Sequence, residues 1–454
     1  MRTTPTPAPS TRAAQPPKRA HPLVNRDYAL LWSGQAVSAL GDATFATTLI
    51  LWVTTILARD QPWAPLAVGG VLAASIAPEF VVAPLGGVFA DRLDRRRAML
   101  AMDAARTLLI AALVPAAGLV SLPFASGGSL PLGWRLGAIY AVVFLASACG
   151  QLFNPALFAL MAGIVAEPDR ARASGLRQVA TSFAAILGPA LAAALFFGAG
   201  ITWALLLNAA SFAVSFAAVL AMRAPAAPNS ETAEKKEREG VVSDLRAGLR
   251  FYFGNRVLVT LLVAGVLTLL GFGTLNTLGI FFVTENLRAA PGFYGILTSA
   301  QGVGLIAGAA LAAAFAQRIG VARVLGLSLL IWGATILVYA RMTSLAPALA
   351  LMALTGFLLA VAQVAETPLL MHVTPPEFLG RVSSVFVPAI ASAELIGIAL
   401  SGYLASTVLR GFHATLLGLS FGPVDTIFTV VGVCILAAGV YALARLRGIH
   451  LARE

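Results

Sequence analysis

The chain has 454 residues, 59% of them hydrophobic and only 11% charged. Soluble domains carry about a quarter charged residues, so this composition excludes a soluble fold; apolar runs of about 20 or more residues, long enough to cross a bilayer core, recur along it. The net charge of +11 does not read as nucleic-acid binding, because there is no aromatic–basic interleaving or finger-like Cys/His spacing and the Arg residues sit between apolar segments.

In chain order, residues 1–26 begin with "MRTTPTPAPSTRAAQPPKRAHP", rich in Pro and without an apolar core. That gives neither a signal peptide nor an amphipathic leader, and a disordered cytosolic tail is expected. Apolar runs bounded by charge or by Pro and Gly then predict twelve helices. They cover 28–57, 65–90, 97–119, 135–161, 174–198, 201–222, 257–284, 293–317, 321–342, 346–372, 384–408 and 423–446. The fold class is all-α and polytopic, with twelve transmembrane helices in two six-helix bundles, 27–222 and 257–446. Between them, 223–256 is a polar linker whose segment 241–253 spaces Val241, Val242, Leu245, Leu249 and Tyr252 at helical period among Arg246 and Arg250, an interfacial helix. Residues 447–454 form a short cytosolic tail.

Cytosolic excess of Lys and Arg orients such a chain. With the N-terminus inside, 25 basic residues fall on the cytosolic side and 5 on the other, with Arg106 left inside the third helix. Both termini are therefore expected in the cytosol. The bias to Ala, Gly and Arg over Lys points to a high-GC bacterial genome, and so to the inner (plasma) membrane. Cys149 and Cys434 lie within apolar runs as small hydrophobes, and the four His have no ligand spacing. No metal or other cofactor is expected.

The two halves repeat each other. "GVFADRLDRRR" (87–97) after the second helix aligns with "AAFAQRIGVAR" (313–323) after the eighth, and "EPDRARASGL" (167–176) aligns with "PEFLGRVSSV" (376–385). Parallel repeats of this kind are one architecture of secondary transporters.

"GVFADRLDRRR" is similar to the helix 2–3 loop motif of the major facilitator superfamily, with Phe89 and Asp94 at two substituted positions. "LLWSGQAVSALGDATF" (30–45), "FNPALFALMAGIV" (153–165), "LNAASF" (207–212) and "GRVSSVF" (380–386) resemble its drug-efflux branch, which includes macrolide and enterobactin exporters. The resemblance implies alternating access between two bundles. It also implies a cytosolic latch in which Gly87, Asp91, Arg92, Arg95, Arg96 and Arg97 act, with Arg318 and Arg381 at the matching loops. Plain topogenic charge accounts for the same Arg cluster. In the fifth helix, Gly188-Pro189 within "SFAAILGPALAA" (182–193) resembles a degraded antiporter motif; ordinary tight packing is the alternative. Many proton-coupled drug exporters carry an Arg in the fourth helix, and "YAVVFLASACGQLFNPALFAL" (140–160) has none.

Six ionisable residues fall well inside predicted spans: Asp42, Glu79, Asp103, Arg106, Glu366 and Glu394. Placing an ionised group at midplane costs at least about 3 kcal/mol, and five acids cannot all pair with one base. Some must line a wet cavity or carry a proton, as proton coupling or recognition of a cationic molecule requires. Asp42 ranks first, because mid-helix-1 acids recur in the antiporters this chain resembles; a structural hydrogen-bonded Asp is the alternative. Glu394 comes next, then Glu79, which follows Pro78 and could serve that local defect. Asp103 and Arg106, at i, i+3, read as an ion pair beside the latch. Gln363–Glu366 and Gln151–Asn154 repeat a polar i, i+3 pattern in the tenth and fourth helices, as cavity walls or as interhelical glue.

The reading is a secondary exporter of amphiphilic, lipophilic or cationic small molecules, driven by protons and acting as a monomer in a lipid bilayer. An uptake or lipid-translocating facilitator is the alternative. No HExxH or Walker A pattern supports an enzyme.

Overall fold

The computed structural model of the chain describes residues 23–82, 94–116, 131–223, 249–416 and 418–447. Among them, twelve helices are long and apolar enough to cross a membrane. They are α1 (Arg26–Trp52), α2 (Ala64–Val81), α3 (Arg95–Ala116), α4 (Leu132–Ile164), α5 (Arg170–Gly198) and α6 (Ile201–Ala221), then α7 (Arg256–Phe281), α8 (Phe293–Ile319), α9 (Val321–Tyr339), α10 (Leu345–Val373), α11 (Leu379–Tyr403) and α12 (Pro423–Arg445). Helices suit this setting because each satisfies its own backbone hydrogen bonds. The expected interfacial helix of the linker is described only from residue 249, where 249–254 is helical; residues 224–248, 1–22 and 448–454 lie outside the described residues.

Local chemistry sets the helix ends. Asn25 caps α1, accepting the Tyr28 N–H at 2.8 Å, and its amide donates to the Ile164 carbonyl at 2.7 Å, tying the start of α1 to the end of α4. Asn255 caps α7 through the Val257 N–H at 2.9 Å. Each cap satisfies an amide that the helix cannot. α1 and α7 close alike on the opposite face of the molecule, in π-helical turns at Val53–Leu57 and Phe282–Asn286. In each, a Thr after a Val returns its hydroxyl to the carbonyl four residues back: Thr54 to Ile50 at 2.8 Å, Thr284 to Ile280 at 3.2 Å. That is a further match between the halves.

α1 packs on α5 and α6, α3 on α4 and α6, and α2 on α4; in the second half α7 packs on α11 and α12, α8 on α10, and α9 on α10 and α12. The halves meet where α5 faces α8 and α2 faces α11. The Ser299 hydroxyl donates to the Ile186 carbonyl at 2.5 Å, and the Leu66 N–H donates to the Ser406 hydroxyl at 3.1 Å. Gly295 lies against the Pro189 carbonyl, and Gly402 faces Pro65. All of these contacts lie away from the face that holds the start of α1 and the end of α12, here called the terminal face.

One element was not expected from sequence. Between α11 and α12, β1 (Ala414–Leu416) and β2 (Leu419–Phe421) form an antiparallel hairpin with Thr415 opposite Ser420. Arg341, just beyond α9, holds it by donating to the Ser420 carbonyl at 3.0 Å while its guanidinium lies over the Phe421 ring at 4.3 Å and meets Asp425 at 3.1 Å.

Candidate functional site

Asp42 sits midway along α1 and its side chain is exposed, although its helix neighbours Gly41 and Thr44 are buried. It is exposed because two cavities of the N-terminal half meet there. One, of about 210 Å3, runs from Asp42 toward the terminal face past Gln35, Trp32 and Tyr28, with Asn154 of α4 and Arg177 of α5 on its other walls. The second, of about 220 Å3, lies on the other side of Asp42 among Phe45, Ser75, Ile110, Ser147 and Asn208. Arg106 and Gly150 border both. The threonines that follow Asp42 do not serve it: Thr44 and Thr47 donate to carbonyls of their own helix at 2.7 and 3.3 Å.

Arg106 is the buried partner of this site, 7% exposed. Its Nη2 lies 2.6 Å from Asp103 Oδ1, and Phe153 and Phe212 stand over the guanidinium at 4.6 and 4.3 Å. The second Asp103 oxygen accepts from the Ser215 hydroxyl at 2.7 Å, which in turn accepts from the Gln35 amide at 2.9 Å. The i, i+3 spacing makes the pair, and α6 and α1 complete its hydrogen bonds, as a buried ion pair requires. Asp42 lies within electrostatic reach of both Arg106 and Asp103. Asp103 and Arg106 thus belong to the core of the N-terminal half, next to Asp42, and their recorded bonds stay inside that half.

Gly188 and Pro189 flank the same site. Gly188 lies on Ala43, so close that a Cβ would overlap it, and Pro189 turns its carbonyl to Gly295 of α8. α5 is thereby wedged between the helix that carries Asp42 and the other half of the molecule.

The remaining acids are elsewhere. Glu79 of α2 and Glu394 of α11 are half-buried and within electrostatic reach of each other across the junction of the halves. Glu366 of α10 is half-buried against Gly265 of α7. Tyr252, in the last turn of the linker, is fully buried; burial and then the Glu366 charge push its phenol well above its ordinary range. Gln363 is exposed and Gln151 half-buried, and neither lines the Asp42 cavities, whereas Asn154 does.

Gly87, Asp91 and Arg92 lie outside the described residues. The Arg residues after them bind their own half. Arg95 donates to the Ala159 carbonyl at 3.3 Å, and Arg96 donates to the carbonyls of Val219 and Leu220 at 3.2 and 2.6 Å, capping the end of α6. Asp94 caps α3 through the Arg97 N–H at 2.8 Å. Arg318 is exposed in the last turn of α8, and Arg381 lies over the Phe378 ring at 5.4 Å. Arg177, which sequence reading treats only as a topogenic charge, is the cavity residue that was missed. Its place in an Arg-rich helix start hides that role.

Twelve apolar helices in two packed halves, with cavities at mid-depth lined by charged side chains, define a multi-pass membrane transporter rather than an enzyme. The sequence profile of the Major Facilitator Superfamily matches residues 31–284 and 261–449. The chain belongs to that superfamily. It is 23% identical to macrolide efflux protein A of Streptococcus pyogenes, over 83% of this chain and 89% of that one. It is 25% identical to the enterobactin exporter EntS of Escherichia coli O1:K1 / APEC, over 75% and 79%. In fold it is similar to a bacterial homologue of the iron transporter ferroportin in an inward-facing state, with a TM-score of 0.72 and 16% identity over 93% of this chain and 99% of that one.

Proposed function

We propose that this chain is a secondary exporter that moves amphiphilic small molecules out of the cell by alternating access, in exchange for protons. The observation that carries the reading is the Asp42 carboxylate, exposed at mid-depth in cavities of the N-terminal half while Arg106 beside it is committed to Asp103. A carboxylate so placed can hold either a proton or a basic substrate nitrogen, and that competition is the simplest form of exchange. The exporters among its relatives support the direction of transport. The basic excess supports cytosolic termini in the inner membrane, which makes the terminal face the cytosolic one. With the halves joined at the opposite face, the cavity at Asp42 would be loaded from the cytosol. Closing the terminal face would then draw on the loop of Gly87, Asp91 and Arg92, with Gly188-Pro189 bending α5. Glu79 and Glu394 are second carriers at the junction. The cycle needs one copy of the chain and no cofactor.

The test is efflux of a fluorescent lipophilic cation from cells that express wild type or Asp42→Asn. Wild type should deplete the dye, and both the substitution and a protonophore should abolish depletion. Depletion that survives the substitution would remove Asp42 from the cycle.

A further inference from the structure

Three buried donors on the walls around Asp42 have no acceptor among the described residues: Arg106 Nε, Arg177 Nε and Asn208 Nδ2. Asp103 accepts from Arg106 Nη2 and from Ser215, and Arg106 Nε makes no bond to it. The Arg106 guanidinium lies against the rings of Phe153 and Phe212, and the residue borders both cavities. Arg177 is held over Phe158 at 4.9 Å and borders the cavity that runs toward the terminal face. Buried N–H groups left without acceptors are costly and rare in native proteins, so these walls call for an oxygen-rich group from a ligand. Such a guest must also answer Asp42.

Charge has a fixed order along this cavity. Asp103 neutralises Arg106, so the lining keeps a negative group at Asp42 and a positive one at Arg177. Trp32 donates to the Leu176 carbonyl at 2.9 Å, which sets Arg177 at the level of Trp32. Ten residues of α1 separate that level from Asp42, about 15 Å along the helix axis, and the reach of the Arg side chain shortens the gap. A purely cationic guest would satisfy Asp42 and strand the guanidinium donors; a purely anionic one would face Asp42.

We propose that this cavity binds an amphoteric molecule, with a basic nitrogen on Asp42 and a carboxylate or similar anionic oxygen group on Arg177. The proposal rests on the reading of the same cavity as the transport site, and it narrows the substrate class from amphiphiles in general to molecules carrying both charges on an apolar spacer. Discrimination follows from both ends, since each single-charged analogue leaves a buried polar group unanswered.

The test is calorimetric titration of the purified full chain with 8-aminooctanoic acid, octylamine and octanoic acid. The amino acid should bind at least about tenfold more tightly than either analogue, a gap of about 1.4 kcal/mol. Arg177→Gln should lower its affinity to that of octylamine and leave octylamine binding unchanged, while Arg177→Lys keeps part of the gain. Asp42→Asn should lower it to that of octanoic acid. Equal affinity for octylamine and the amino acid, untouched by Arg177→Gln, would overturn the proposal and leave Asp42 as a cation site for export. Failure of all three probes to bind would also overturn it, and dye efflux would then decide whether the export reading falls with it.

Discussion

The two halves share a helix plan and differ in what fills them. In the N-terminal half the centre is polar: Gln35, Ser215, Asp103 and Arg106 form one connected chain across α1, α6 and α3, and both cavities at Asp42 are lined by residues of that half alone. The C-terminal half is filled by aromatic rings at the face opposite the termini and by tight glycine contacts at mid-depth. Phe282, Tyr339 and Phe428 stack at 4.5 to 6.0 Å, Trp332 is fully buried, and Gly308 and Gly356 bring α8 and α10 into backbone contact. Both halves follow one helix plan, and the cavities at Asp42 belong to the first, whereas the second carries Glu366 and Glu394.

Substitutions can break this contrast, and the largest effect is expected at the polar centre. Asp103→Ala leaves Arg106 buried without its partner, and such a loss costs about 3–5 kcal/mol. Thermal unfolding in detergent should show a larger drop for it than for either Arg341→Ala or Gly265→Ala. Arg341→Ala comes second. It strips the hairpin of its anchor and leaves the buried Asp425 with only its cap to Gly422 at 2.7 Å; about 2 kcal/mol is expected, because the Arg is partly exposed and its lost bonds are charge-assisted. Gly265→Ala is the smallest: the methyl meets the tip of the Ile390 side chain, which can turn aside, so a crowding cost of about 1 kcal/mol is offset by about 1 kcal/mol of helix propensity. Equal losses for Asp103→Ala and Gly265→Ala would erase the distinction between the halves.

Most of the helix plan was legible because each span is a long apolar run closed by charge or by Pro; the described helices begin and end within a few residues of those expected except α2, which closes at Val81 where a helix to 90 was expected. The Asp103–Arg106 pair was legible too, since it lies within one helical turn. What joins distant segments was not. The hairpin at 414–421 depends on Arg341, more than seventy residues earlier, and short strands carry little signal of their own. The approach of Glu79 to Glu394 depends on how α2 meets α11. Arg177 was hidden for another reason: an Arg at a cytosolic helix start is accounted for by topology, and only the α1–α5 packing at Gly188 and Ala43 turns that stretch of α5 toward Asp42.

The central claim is that Asp42 exchanges a proton for substrate. Its most direct test is proton release in weakly buffered detergent solution when tetraphenylphosphonium is added to the purified chain. The account predicts release by wild type, none by Asp42→Asn, and release retained by Glu394→Gln. Release that persists in Asp42→Asn and vanishes in Glu394→Gln would contradict it, and would move the exchange from the N-terminal cavities to the junction of the two halves.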